Sequence, residues 1–375
     1  MIARSLFANL KKRMFRGKAI MLMGPRQVGK TTLIRSLLEG KDFLFLDGDD
    51  PDVRAQLEGA GVSRLKAIIG KHKVVFIDEA QRIQEIGLTA KMITDQFKEV
   101  QLIVSGSSAL DINNAMQESL TGRKFEYYLY AIGWEEFEQY VGFMEAQSQL
   151  EERLIFGMYP DVINHREDAR EILKELTMSY LYKDVLALSG IKKPELLDKL
   201  LKALALQMGS EVSYNELSNL LQIDKATVAR YIDLLEKTFI VFRLNSYSGN
   251  QRNEIKNGRK IYFYDNGIRN MIINNLNPLD LRNDKGALWE NFLVSERIKF
   301  HAFHQLHTHC YFWRTVQKQE IDFIEEVDGL LRAYEFKWKA GKMKKLPSAF
   351  TARYQVTGKL IDTSNFREFL LMGES

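Results

Sequence analysis

At 375 residues the chain exceeds one typical domain, and its 45% hydrophobic and 27% charged residues exclude a disordered or fibrous architecture. A formal net charge of +4 is too small to establish nucleic-acid binding by itself. The single cysteine, Cys310, excludes an internal disulfide and a cysteine-based zinc site and fits a reducing, cytoplasmic compartment.

The first 18 residues carry Arg4, Lys11, Lys12, Arg13, Arg16 and Lys18 with no acid, and Ile2, Leu6, Leu10 and Met14 recur at helical spacing. The pattern predicts a basic amphipathic helix packed on the following domain. A transit peptide or a membrane-surface helix is the other reading, although no cleavage signature follows. No apolar run approaches the roughly 18 residues that cross a bilayer, so membrane insertion is not expected.

From Ala19 to about Tyr130 short apolar runs alternate with helical patterns: Ala19 to Met23, Phe43 to Leu46, Val74 to Ile77 and Gln101 to Val104. Such runs predict buried parallel strands joined by crossovers, an α/β domain. From Trp134 to about Lys202 the pattern turns helical, with an apolar face through Met178, Leu181, Tyr182, Val185, Leu186 and Leu188. Then comes a helix Asn215 to Leu221, a break at Gln222 to Asp224, a helix Lys225 to Lys237 and an extended Phe239 to Leu244, the layout of a winged helix-turn-helix. Its second helix would expose Lys225, Thr227 and Arg230 and bury Val228, Ile232 and Leu235. DNA contact and simple packing are both open to it. Lys256, Arg259, Lys260, Lys339, Lys342, Lys344 and Lys345 add basic surface. The remainder, from Ile261, mixes a helix Trp289 to Phe300 with strands near Tyr311 to Arg314, Ile321 to Glu325 and Leu331 to Trp338.

Gly24, Pro25, Arg26, Gln27, Val28, Gly29, Lys30 and Thr31 match G-x-x-x-x-G-K-[ST], directly after a strand and before a helix that starts at Thr32. In that context glycines let the backbone wrap phosphate oxygens, Lys30 reaches the β and γ phosphates, and the Thr31 hydroxyl ligates Mg²⁺. The strand Val74 to Ile77 runs into Asp78 and Glu79, which assigns Asp78 to the metal and Glu79 to activating the attacking water. Ser107, at the tip of the next strand, either senses the γ phosphate or belongs to a serine-rich turn with Ser105 and Ser108. Arg123 is an arginine finger, in cis or from a neighbouring copy, or a surface salt bridge. Arg26 contacts nucleotide or packs outward.

The stretches G-P-R-Q-V-G-K-T-T-L, V-V-F-I-D-E-A-Q, I-V-S-G-S-S-A and S-L-T-G-R resemble a family of prokaryotic AAA-type ATPases with a restriction-endonuclease-like C-terminal domain. The resemblance implies an ATPase core, a winged-helix segment and a nuclease-like fold. In the last region Glu290 on a helix, Asp322 in a strand, and Glu335 with Lys337 follow the order of a PD-(D/E)xK core, where carboxylates hold Mg²⁺ and the lysine orients water. Alternating charges on a half-exposed strand would look the same. His301, His304, His307 and His309 cluster nearby, more as a solvated loop than as a metal site.

The expected organisation is therefore 1–133 for the ATPase domain with its basic helix, 134–196 for a helical lid, 197–260 for a winged helix-turn-helix and 261–375 for a nuclease-like domain. The expected function is Mg²⁺-dependent ATP binding and hydrolysis coupled to conformational change, acting on or with DNA. The alternatives are a nucleotide switch read by a protein partner and an ATP-regulated nuclease. A homo-oligomer is compatible with a trans arginine finger, and the loop alone does not separate ATP from GTP.

Overall fold

The structure, a computed structural model, describes residues 2–107, 119–178, 194–248, 258–315, 317, 319–341, 346–354, 356 and 358–371. Ser108, the apolar face from Leu181 to Leu188, and Lys256, Lys342, Lys344 and Lys345 lie outside the described residues.

The first sheet holds β1 (Ala19–Met23), β2 (Leu44–Asp47), β3 (Val74–Asp78), β4 (Gln101–Gly106) and β5 (Lys124–Tyr128) in the order β2-β3-β4-β1-β5. Every pairing is parallel. β1, β3 and β4 are buried along their whole length, as expected for strands covered on both faces. Insertion of β4 between β1 and β3 sets three strand ends side by side, and these ends carry the site. Helix α1 (Leu6–Arg13) buries Leu6 and Leu10, with Ile2 ahead of it, so the basic N-terminal segment packs on this domain.

The middle of the chain is helical, including the segments Trp134–Val141, Leu150–Phe156, Ala169–Met178 and Pro194–Leu206. The two helices of the expected helix-turn-helix are Tyr214–Leu221 and Lys225–Lys237. Ser213 caps the first through the Glu216 N–H at 3.3 Å, left-handed Gln222 ends it, and Asp224 caps the second through the Thr227 N–H at 2.9 Å. Val228, Ile232 and Leu235 are buried while Lys225 and Arg230 are exposed.

The second sheet corrects the expected domain boundary. Its six strands are β6 (Val241–Ser246), β7 (Arg259–Phe263), β8 (His309–Arg314), β9 (Glu320–Val327), β10 (Leu330–Phe336) and β11 (Gly358–Ile361), ordered β11-β10-β9-β8-β6-β7. The extended segment assigned to a wing is β6, which pairs antiparallel with β7 and parallel with β8. These strands do not form a free-standing wing, and a boundary between 260 and 261 falls inside β7. Apolar strands take their place from whatever sheet satisfies their backbone groups, which short-range pattern cannot reveal.

The long helix Lys285–His304 joins the two halves. Its Glu296 accepts from the Trp134 N–H at 2.6 Å, and its Lys299 reaches Glu296 at 2.6 Å and the Ile132 carbonyl at 3.3 Å. Trp134 packs edge-on against Phe292 and Phe366. Asn9, on α1, donates to the Phe303 carbonyl at 3.1 Å.

Candidate nucleotide site

β1 ends at Met23 and helix α2 (Lys30–Leu37) begins seven residues later, with the turn between them forced by its backbone. Gly24 (φ 153°), Gln27 (φ 58°) and Gly29 (φ 90°) all have positive φ. A Cβ on Gly24 would lie 1.9 Å from the Leu129 carbonyl oxygen, so only glycine fits there. The first N–H groups of α2 have no partner within the helix and point into the loop, which is the arrangement that receives phosphate oxygens. Lys30 is buried, and its ammonium donates to the carbonyls of Gly24 at 2.9 Å and Pro25 at 2.7 Å. Thr32 is exposed on the first turn of α2.

Arg4 braces this loop from behind. Its guanidinium donates to the Val28 carbonyl at 2.7 Å, to the Tyr130 carbonyl at 2.7 Å and to the Glu136 carboxylate at 3.1 Å. In the sequence Arg4 was one of six basic residues in a segment without acids, and nothing there marked it as different.

The two acids at the end of β3 have separate environments. Asp78 is buried; the Thr31 hydroxyl donates to one of its oxygens at 2.5 Å, and the Ser105 hydroxyl donates to the other. Glu79 has left-handed backbone (φ 46°, ψ 40°), which turns the chain sharply after the strand. Gly48 allows this turn: its N–H donates to the Asp78 carbonyl at 2.8 Å, and a Cβ there would lie 2.4 Å from the Glu79 carbonyl oxygen. The Glu79 carboxylate accepts from Ser107 at 3.3 Å and from the Gln81 amide. Ser105, in β4, and Ser107, just past its end, stand two residues apart, and so one strand tip serves both acids. Ser105 and Gln81 were not singled out as site residues by the sequence reading, although that two-residue spacing carried the signal for Ser105.

Residues 16–138 match the AAA domain family AAA_14. This part of the chain is similar to AAA domains and carries the P-loop motif. Residues 147–279 and 285–369 match two domains of unknown function, DUF8612 and DUF4143. An uncharacterized protein of Mycobacterium tuberculosis is 28% identical over 343 residues, covering 89% of this chain and 73% of that one. Another, from Methanocaldococcus jannaschii, is 22% identical over 317 residues, covering 78% and 69%. A solved Walker-type ATPase of Pyrococcus abyssi aligns with 72% of this chain and 96% of its own at 15% identity and a TM-score of 0.49.

In the P-loop domain the oxygens of Thr31 and Asp78 form a hard donor pair at the start of α2, which fits Mg²⁺. Arg123 is a correction. It precedes β5, and its carbonyl accepts from the Ala19 N–H, which places it at the opposite end of β1 from the phosphate loop. The four steps from Ala19 to Met23 span roughly 13 Å. Its guanidinium instead meets Asp95 at 2.8 Å, the salt-bridge alternative, and a finger role in cis is excluded by this position. No helix among the described residues is long and apolar enough to cross a membrane.

The acidic residues of the second sheet come together around a lysine. Glu290 receives Lys260 at 2.9 Å and the Tyr262 hydroxyl at 2.6 Å, and Glu320 receives Lys260 at 2.5 Å. Asp322 accepts from the Phe336 N–H at 2.8 Å. The β9–β10 register, in which Tyr334 faces Phe323, puts Glu335 next to Asp322. Burial and then the charge of Glu290 push the Asp322 carboxyl up to about 7, with Lys260 opposing. Burial pulls Lys260 down, but its carboxylate neighbours outweigh this and its affinity for the proton ends above the ordinary value.

The Lys260 ammonium offsets one of the negative charges of this set through Glu290 and Glu320, and among the described residues no group of three or more acidic, histidine or cysteine side chains is arranged to hold a metal. Lys337 follows the last residue of β10, its N–H donating to the Ile361 carbonyl of β11 at 3.0 Å, and its side chain is exposed. The histidines diverge: His301 is buried against Glu325 at 3.0 Å, His304 meets Glu135 at 2.7 Å, and His307 and His309 are exposed.

Proposed function

We propose that the chain is a Mg²⁺-dependent ATPase whose turnover in residues 19–130 shifts the position of the helical and second-sheet regions, with DNA as the macromolecular partner. The observation that carries the reading is the convergence at one corner of Lys30, Thr31, Asp78 and Glu79, joined by the β4 hydroxyls. In it, Lys30 leaves the loop carbonyls for the β and γ phosphate oxygens, and Thr31 with Asp78 holds the ion that would neutralise phosphate charge. Glu79 takes the proton of the attacking water, and Ser107 orients it.

DNA is favoured over a protein partner by the exposed Lys225 and Arg230 on the second helix of the helix-turn-helix pair. Coupling between the parts is supported by Arg4, which ties the phosphate loop to Glu136, next to the Trp134–Glu296 contact. DNA cleavage by the second sheet is not part of this reading, because Lys260 occupies Glu290 and Glu320, two of the carboxylates beside Asp322.

Steady-state hydrolysis of ATP and GTP by wild type and Lys30→Ala, with and without single- and double-stranded DNA at fixed salt, tests it. DNA-stimulated turnover that vanishes in Lys30→Ala is expected. Turnover indifferent to DNA removes DNA from the reading, and binding of ATP without turnover replaces an ATPase by a nucleotide switch.

A further inference from the structure

We propose that Gln81 is a positioning residue that holds Glu79 against Ser107 and supplies a second acceptor for the attacking water. The inference deepens the ATPase reading and rests on it.

Gln81 lies in the single 3-10 turn Ala80–Arg82 that follows Glu79. Its side-chain nitrogen donates to the Glu79 carboxylate and, at 2.9 Å, to the Ser107 hydroxyl. An amide NH₂ has two hydrogens, and both are used. Ser107 in turn donates its own hydrogen to Glu79 at 3.3 Å, which closes a three-membered ring of hydrogen bonds. The ring also fixes the amide orientation, since the opposite flip would set the amide oxygen against a carboxylate.

The consequence lies at the other end of the amide. The Gln81 oxygen is buried and has no hydrogen-bond partner among the described residues. A buried acceptor left unmatched costs about 1–3 kcal/mol, so a donor is expected at that point. The oxygen is closed to water in this conformation, and the water that the ATPase chemistry brings beside Glu79 is the donor that would reach it when the site opens to nucleotide. Glu79 and the Gln81 oxygen would then accept its two hydrogens, and the oxygen lone pair would be left free to face the γ phosphate. In the hydrolysis step the water oxygen bonds to phosphorus as the bond to the bridging oxygen of ADP breaks, and the proton passes to Glu79. Gln81 gives and takes no proton.

The clamp is what holds Glu79: among the described residues the hydrogen-bond donors to its carboxylate are Gln81 and Ser107. Without the amide the carboxylate would be held by one 3.3 Å bond.

The test is steady-state ATP hydrolysis by wild type, Gln81→Ala and Gln81→Glu with Mg²⁺, with nucleotide affinity measured by a fluorescent ATP analogue. Displacing a general base by about an ångström costs on the order of 10²-fold, so kcat should fall by about that factor in Gln81→Ala while KM and affinity stay within threefold. In Gln81→Glu two carboxylates stand side by side, and the acidic limb of the kcat–pH profile should move to higher pH. That shift reports the contact between the two side chains, and the fall in kcat at unchanged affinity in Gln81→Ala reports the positioning. Variants that match wild type overturn the Gln81 role and leave the ATPase reading standing, as does a fall in kcat with an equal loss of affinity. Should Gln81→Ala not fold, Gln81→Asn, which keeps the amide but draws it back from Glu79, decides by the same fall in kcat at unchanged affinity. A wild type that binds ATP without turning it over overturns both.

Discussion

The Thr31 hydroxyl and the Asp78 carboxylate meet at 2.5 Å although 47 residues separate them. They meet because β4 stands between β1 and β3, which leaves the start of α2 directly above the end of β3. The pair has both oxygens that a Mg²⁺ ion would need from the protein. Thr31→Ala should lower ATP turnover at least tenfold and raise the Mg²⁺ concentration for half-maximal rate, while Thr31→Ser should restore both. A Mg²⁺ titration of the rate reads this, and an unaltered Mg²⁺ dependence in Thr31→Ala would remove Thr31 from the metal.

Arg123 gives the opposite expectation. A half-exposed ion pair with Asp95 contributes less than about 1 kcal/mol, so Arg123→Ala should keep turnover within about twofold and change the unfolding midpoint little. Hydrolysis measured over a range of protein concentration would expose a trans role. A drop of 10²-fold or more that depends on concentration would reinstate it.

Gly24→Ala should be severe. The added methyl would meet the Leu129 carbonyl oxygen at 1.9 Å, and backbone must move to accommodate it. A loss of about 2–4 kcal/mol is expected from strain of this kind, read by denaturant unfolding. Gly29→Ala, where nothing lies within 4 Å of the added carbon, should cost less despite its positive φ. Equal costs at the two sites would show that φ matters and the Leu129 contact does not.

The Asp322 carboxyl makes stability pH-dependent. Burial and Glu290 raise it from 3.8 to about 7 in the folded protein. Between these values the folded state binds more protons than the unfolded one, so stability is highest below pH 3.8 and falls as pH rises towards 7. Other groups superimpose their own slopes, and the comparison that isolates this one is with Asp322→Asn, which keeps an acceptor for the Phe336 N–H. Urea unfolding at pH 5 and pH 8 should show the substitution more favourable at pH 8. An effect equal at both would mean that Asp322 is not raised.

The P-loop domain was legible because its signals are local. Gly24 to Thr31 is a contiguous motif, the strand that ends in Asp78 and Glu79 is a short apolar run, and Ser105 and Ser107 stand two residues apart at one strand tip. The helix-turn-helix pair was legible for the same reason: Asp224 caps its second helix and Val228, Ile232 and Leu235 follow at helical spacing. What failed was non-local. The pairing of β6 with β8 joins Asn245 to Tyr311 and cannot be seen from either segment. Lys260 reads as one more surface cation until β7 is laid beside β6, and then it is buried beneath Glu290 and Glu320. Arg123 stood in a suggestive motif, and only the placement of its carbonyl against Ala19 shows which end of the sheet it occupies.

The shared sheet also limits how such a chain can be rearranged over evolution. Because β6 follows the helix Lys225–Lys237 and sits between β7 and β8, recombination at residue 260 would yield two incomplete sheets with exposed edges. Exposed edges invite aggregation, so such products would be purged. The region from Tyr214 to Ile361 is therefore expected to fold as one block.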